Sequence, residues 1–184
     1  MTDMKSDAKK SLFGVNTLRR IIIYGISVLI LGCAQCAFFP TLKICPATPD
    51  LIMGMLLAIA LLDSPASAAV TAICAGFFID ALGGAGIALS PLIYLLYVFM
   101  ISIFSGKVLK SFFSFIILLV PSLIYRAAAT YLCFSLRIGA LAPFWCFEKI
   151  ILPEAISTAL LCLPVYFIIK LCSRMLDNHS RFTF

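Results

Sequence analysis

Three ionisable residues lie inside long apolar stretches of this chain. Their side chains are the groups whose chemistry could serve a function. Asp80 lies in the third apolar stretch, Arg126 in the fifth and Glu154 near the start of the sixth. Placing such a charge in a bilayer costs about 2.5–3.5 kcal/mol by insertion scales, so each residue marks a functional or a pairing site. A proton site, a ligand contact and an ion pair that fixes helix packing are the roles open to them.

Asp80 continues a stripe of small residues at four-residue spacing. The stripe consists of Ser64, Ala68, Ala72 and Gly76. Residues four apart share one face of a helix, and small residues let a second helix approach closely. We therefore expect this face, with Asp80, to lie against protein rather than lipid. Packing within the chain and docking of another protein are both open for it.

Depth along the helices gives Asp80 a candidate partner. Asp80 and Arg126 each lie fourteen residues from the predicted inner end of their helix, about 21 Å along its axis. The sequence therefore predicts an Asp80–Arg126 ion pair within an intramembrane polar layer that also contains Gln35 and Glu154. The pair could only lock packing or could meet a ligand, and Glu154 could instead reach water at the interface.

The residue patterns of enzymes and metal sites are missing. We find no nucleophile with an evident base and no phosphate-cradling loop, and His179 is the single histidine. Cys33 and Cys36 form a CxxC, but on a membrane helix without a second pair. Cys45 and Cys146 lie in loops predicted outside, where a disulfide is conceivable. We expect no enzyme activity, no cofactor and no metal.

Composition indicates a membrane protein. Hydrophobic residues make up 63% of the 184 positions and charged residues only 12%, whereas soluble domains carry about 25% charged residues. Most of the apolar runs approach the ~20 residues that span a bilayer. They lie at about Ile21 to Phe39, Leu51 to Leu62, Ala66 to Leu82, Ile87 to Phe104, Phe112 to Phe134 and Ile150 to Cys172. We predict an all-α polytopic protein with six transmembrane helices, or five if the short second run does not span.

Basic residues set the predicted orientation. With the N-terminus inside, ten Lys and Arg fall on the inner side and three on the outer side, so both termini are predicted to be cytoplasmic. We expect a basic cytoplasmic arm at residues 1–20, one six-helix membrane domain at 21–172 and a cytoplasmic tail at 173–184. The net charge of +6 then reflects topology and attraction to membrane lipids, and no nucleic-acid partner is predicted.

The start of the second helix carries a capping pattern. Thr48 can cap the helix, Pro49 suits its first position, and Asp50 complements the positive end of its dipole. At the end of the third helix, Gly83 and Gly84 are expected to turn the chain sharply toward the fourth.

The segment from Thr48 to Tyr97 resembles the bacterial rod-shape-determining MreD family. In that family Pro-Asp-Leu opens helix two, and a small-residue helix ends in Gly-Phe-x-x-x-Asp before glycines and an apolar helix. The matching residues here are Pro49-Asp50-Leu51, Gly76-Phe77 with Asp80, Gly83-Gly84 and Ser90-Pro91-Leu92.

The resemblance implies a non-enzymatic scaffold of the cell-wall elongation machinery in the bacterial cytoplasmic membrane. Such a protein binds MreC and, through it, the actin-like MreB, the polymerase RodA and a class B penicillin-binding transpeptidase. The family's fold is similar to the six-helix substrate-binding components of energy-coupling-factor vitamin transporters. A vitamin-binding transport component is therefore the alternative function.

Overall fold

The chain folds into six helices over the residues that the structure, a computed structural model, describes: 19–42, 48–83, 89–105, 111–138 and 147–181. Within these residues the protein is all-α. The helices are α1 (19–42, with a π segment at Ala34–Phe38), α2 (Leu51–Leu62), α3 (Pro65–Gly83), α4 (Ser90–Ser105), α5 (Phe112–Ile138) and α6 (a π segment at Phe147–Ile151, then Leu152–Arg181).

Four of these helices are long and apolar enough to cross a membrane. They contain the stretches Arg19–Phe38, Pro65–Leu82, Phe112–Leu136 and Phe147–Arg174, while α2 and α4 are apolar but shorter. Each predicted apolar run coincides with one helix to within a few residues, apart from the longer C-terminal ends of α5 and α6. The prediction of an all-α, multi-pass membrane protein is confirmed.

Helix α2 is the centre of the bundle. Every residue from Leu51 to Leu61 is buried, and the helix packs against α3, α4, α5 and α6. A helix that is apolar on all sides must be covered on all sides. Its 12 residues extend about 18 Å, so α2 is shorter than a bilayer core of about 30 Å, and at least one of its ends lies within the membrane.

The small-residue face of α3 packs against its neighbours. Ala68 and Ala72 are fully buried, and a Cβ at Gly76 would collide with the backbone of Pro91 at the start of α4. Ser64 is exposed and precedes the helix, where its Oγ accepts a hydrogen bond from Ser67 N at 3.2 Å. Only a glycine at position 76 therefore allows α3 and α4 to approach this closely.

Helices α5 and α6 join through aromatic side chains and close on α2. The Phe115 and Tyr166 rings lie 4.5 Å apart between centroids, a distance typical of favourable aromatic pairs. On the α2 side, a Cβ at Gly54 would collide with the Cys162 side chain, so these two backbones also approach closely.

Several predicted features lie outside the described residues. These are residues 1–18 of the basic arm, residues 182–184 of the tail, Gly84, Cys45 and Cys146. Gly83 is the last residue of α3. The cytoplasmic placement of both termini stays a prediction.

Candidate functional site: a buried charged cluster at the start of α2

Arg126 of α5 is bracketed by two carboxylates from different helices. Its Nε lies 2.9 Å from Glu154 Oε1 on α6 and 3.1 Å from Asp50 Oδ2 at the start of α2. Asp50 is fully buried and Glu154 is 7% exposed. We call Asp50, Arg126 and Glu154 the charged cluster. It ties three helices together with charge-assisted contacts, the stronger class of hydrogen bond in proteins.

Asp50 is both one of the two carboxylates of this cluster and the N-cap of α2. Its Oδ1 accepts a hydrogen bond from Met53 N at 3.0 Å, the usual capping contact. Tyr94 Oη of α4 lies 3.2 Å from Oδ1 and 3.1 Å from Oδ2 of the same carboxylate. The prediction that Thr48 caps α2 is wrong, because the helix begins two residues later, after Asp50.

The other backbone donors at the start of α2 are satisfied by neighbouring helices. Gln35 Oε1 of α1 accepts hydrogen bonds from Leu51 N at 3.0 Å and Ile52 N at 3.3 Å. Thr158 Oγ1 of α6 accepts one from Asp50 N at 3.0 Å. The first N–H groups of a helix have no partner inside the helix, and a buried helix start needs such acceptors. Side chains from α1 and α6 thus complete the end of α2.

Two π segments border the charged cluster. One, Ala34–Phe38 in α1, contains Gln35, and the other, Phe147–Ile151, comes one turn before Glu154 in α6. A π segment inserts extra backbone into a helix and shifts the face of the residues that follow, and such segments are frequent at functional sites. The α1 segment thus supplies Gln35 itself, and the α6 segment ends three residues before Glu154.

Asp80 does not belong to the charged cluster, and its predicted ion pair with Arg126 is wrong. Its Oδ2 instead accepts a hydrogen bond from Ser90 N at 3.1 Å, at the start of α4. Helix α3 packs mainly on α4 and α2, whereas α5 packs on α2, α4 and α6. The matched depth was therefore insufficient, because Arg126 takes its partners from helices adjacent to α5.

The other residues of the predicted polar layer and of the family motif lie in different parts of the bundle. Gln35, Arg126 and Glu154 meet around the start of α2. Pro49 is buried next to Asp50, and Phe77 is 59% exposed on the outside of α3.

Sequence reasoning missed a second charged contact, at the opposite end of α2. Asp63, which follows the helix, forms an ion pair with Arg20 of α1 and accepts a hydrogen bond from Tyr24 Oη at 3.0 Å. Both ends of the buried helix thus carry an aspartate with partners on other helices.

A sequence signal for Asp50 did exist. A 12-residue apolar helix is shorter than the hydrocarbon core of a membrane, so an end of α2, and with it a flanking aspartate, had to be considered as intramembrane. A carboxylate at such a position needs a cation, and Arg126 is the only basic residue deep within a predicted span. Tyr94 and Thr158 carried no comparable signal, because hydroxyl residues are common in membrane helices.

The arrangement is suited to holding helices together. Among the described residues, Tyr166 Oη is the only fully buried side-chain polar atom without a hydrogen-bond partner, and no three His, Cys, Asp or Glu side chains come together as a metal site. Cys33 and Cys36 are free thiols. The Asp50 carboxylate, Glu154 Oε1 and Arg126 Nε are occupied by one another and by the start of α2.

Comparisons with known proteins add no relative. No protein-family model, no curated protein and no solved structure matches this chain.

Proposed function

We propose that this protein is a non-enzymatic membrane scaffold of the bacterial cell-wall elongation machinery, of the MreD type, acting in the cytoplasmic membrane. Its direct partner would be MreC, which connects it to MreB, RodA and a class B penicillin-binding transpeptidase. Support comes from the resemblance of residues 48–97 to that family and from the way the motif residues are used in the fold.

The observation that carries the proposal is that these motif residues join helices. Asp50 caps the buried helix α2 and contacts Arg126, Gly76 admits the backbone of Pro91, and Asp80 accepts from Ser90 N. Groups bound in this way hold the bundle rigid and leave its outer surface for partners. A scaffold needs such a frame, whereas a catalyst needs a reactive group that its substrate can reach.

Co-purification tests the proposal most simply. We would express the full-length protein with MreC of the same organism, purify it in mild detergent and analyse proteins and small molecules in the eluate. We expect MreC at a fixed ratio and no vitamin. A stoichiometrically retained vitamin, with no MreC, would contradict the scaffold and support the transport-component alternative.

Crosslinking would locate the partner. Photoreactive residues would replace exposed apolar side chains on separate helices, namely Leu29, Phe99, Ile117 and Leu160. A scaffold should give MreC adducts from one face and none from the others. Leu56, which is fully buried, is the matched control and should give no adduct. Adducts from no exposed position would oppose a direct MreC contact through the membrane faces.

A further inference from the structure

Within the charged cluster, the guanidinium of Arg126 makes its contacts through Nε. Its Nε contacts Glu154 and Asp50, but its two terminal amino groups have no hydrogen-bond acceptor among the residues that the structure describes. The Arg126 side chain is 26% exposed, and neither terminal amino group is among the fully buried polar atoms without a partner, so both groups are open to the surroundings. A guanidinium has five N–H donors, and most of those of Arg126 are therefore available to a molecule outside the chain.

The position of Arg126 along α5 places these donors within reach of lipid headgroups. Arg126 lies fourteen residues after Phe112, where the helix begins, about 21 Å along its axis. With Phe112 at one boundary of a hydrocarbon core of about 30 Å, roughly 10 Å remain from Arg126 to the opposite boundary. Long basic side chains extend toward that boundary from such depths, where phosphate groups are the abundant acceptors.

Charge decides which kind of headgroup fits. The cluster has two carboxylates, Asp50 and Glu154, for one guanidinium, and the helix dipole at the start of α2 offsets only about half a charge. A purely anionic phosphate would add a further negative charge beside both carboxylates. A phosphate that carries its own ammonium group supplies acceptors for Arg126 and a cation for the surplus negative charge.

We propose that Arg126 and Glu154 form a binding site for a zwitterionic aminophospholipid, with phosphatidylethanolamine as the fitting chemistry. The phosphate accepts from the terminal amino groups of Arg126, a pairing that guanidinium geometry favours. The ammonium lies toward Glu154, whose Oε2 accepts one hydrogen bond from the described residues, a long one of 3.3 Å from Thr130 Oγ1. This site is independent of the proposed scaffold function.

The unmodified protein gives the first test. Full-length protein would be extracted from vesicles with equal amounts of phosphatidylethanolamine, phosphatidylglycerol and phosphatidylcholine, and retained lipid measured by native mass spectrometry. We expect phosphatidylethanolamine to be retained most, and less with each N-methyl group added to its amine. Equal or greater retention of phosphatidylglycerol would overturn the proposal. Equally tight binding of soluble glycerophosphoethanolamine would overturn the assignment to a lipid.

Two substitutions test the separate roles of Arg126 and Glu154 in lipid binding. Arg126→Lys keeps the positive charge but loses the paired N–H donors of the guanidinium. The affinity for phosphatidylethanolamine should therefore fall about tenfold or more. Glu154→Gln removes the surplus negative charge and should shift preference toward phosphatidylglycerol. Asp80→Asn is the matched control, because Asp80 contacts Ser90 instead, and should retain the wild-type preference.

Each variant would be compared at a temperature where its unfolding curve shows it folded. Wild-type retention in a folded Arg126→Lys, or an unchanged preference in a folded Glu154→Gln, would contradict the site. If these variants do not fold, the headgroup series on the unmodified protein decides the question alone.

Discussion

At the scale of single residues, the buried tyrosines differ in whether their hydroxyl groups have partners. Tyr94 Oη donates to Asp50, and Tyr97 Oη lies 3.0 Å from Ser122 Oγ. Tyr166 is fully buried, and its Oη has no partner among the described residues. A buried hydroxyl without a partner costs free energy that its replacement by an apolar group avoids.

We predict that Tyr166→Phe leaves the free energy of unfolding unchanged or raises it, because the ring contacts with Phe115 remain and the unsatisfied hydroxyl disappears. Tyr94→Phe is the matched control and should lower stability by about 1–3 kcal/mol, since Asp50 loses a donor. Unfolding in mild detergent, followed by circular dichroism, measures both. A larger loss for Tyr166→Phe than for Tyr94→Phe would show that Tyr166 has a partner after all.

At the scale of helices, close backbone approach and helix capping act together at the α3–α4 junction. Gly76 lies against the backbone of Pro91, and Asp80, one turn later, accepts from Ser90 N. The glycine brings the start of α4 next to α3, and the carboxylate then satisfies a backbone donor that would otherwise lack a partner. Asp80 is thus a capping group for the neighbouring helix.

Two glycine substitutions should have opposite effects. Gly76→Ala forces α4 away from α3 and should destabilise the protein by about 1–3 kcal/mol. Gly25→Ala in α1 has open space around the new methyl group and should stabilise the helix by up to about 1 kcal/mol. Thermal unfolding of both variants under the same conditions provides the comparison. Equal effects would mean that α3 and α4 do not meet at Gly76.

At the scale of the whole molecule, the bundle is organised around α2, a helix that the other helices cover almost completely. The N-terminal end of α2 is held by Asp50 within the charged cluster, and Asp63 contacts Arg20 and Tyr24 at the other end. Apolar contacts cover the rest of the helix. Such a helix is fixed along its own axis as well as laterally, because a shift would break charged contacts at both ends.

Six membrane crossings, with α2 and α4 counted as short ones, would bring the N- and C-termini to the same side, and the distribution of basic residues predicts that this side is the cytoplasm. Reporter domains fused to each end, one active only in the cytoplasm and one only outside, would measure this. We expect cytoplasmic activity from both fusions. If the two termini lie on opposite sides, one of the short helices, α2 or α4, does not carry the chain across the membrane.

The sequence predicted much of the fold because apolar runs and small-residue spacing depend on local pattern. The runs gave all six helices, and the spacing of Ala68, Ala72 and Gly76 marked a face that is buried. Counting residues along a helix gave positions along its axis. It could not give the lateral order of the helices, because any apolar face can pack against several others. Asp80 was therefore assigned the cation that belongs to Asp50.

Arg126 holds three helices of the bundle together through Asp50 and Glu154. Arg126→Gln leaves two buried carboxylates without their cation and should cost about 3–5 kcal/mol of unfolding free energy.

The decisive measurement is a pair of double-mutant cycles, each combining Arg126→Gln with one aspartate change, Asp50→Asn or Asp80→Asn. We predict a coupling of about 1–3 kcal/mol between Arg126 and Asp50, and additivity within about 0.5 kcal/mol between Arg126 and Asp80. Coupling to Asp80 with additivity at Asp50 would contradict the charged cluster.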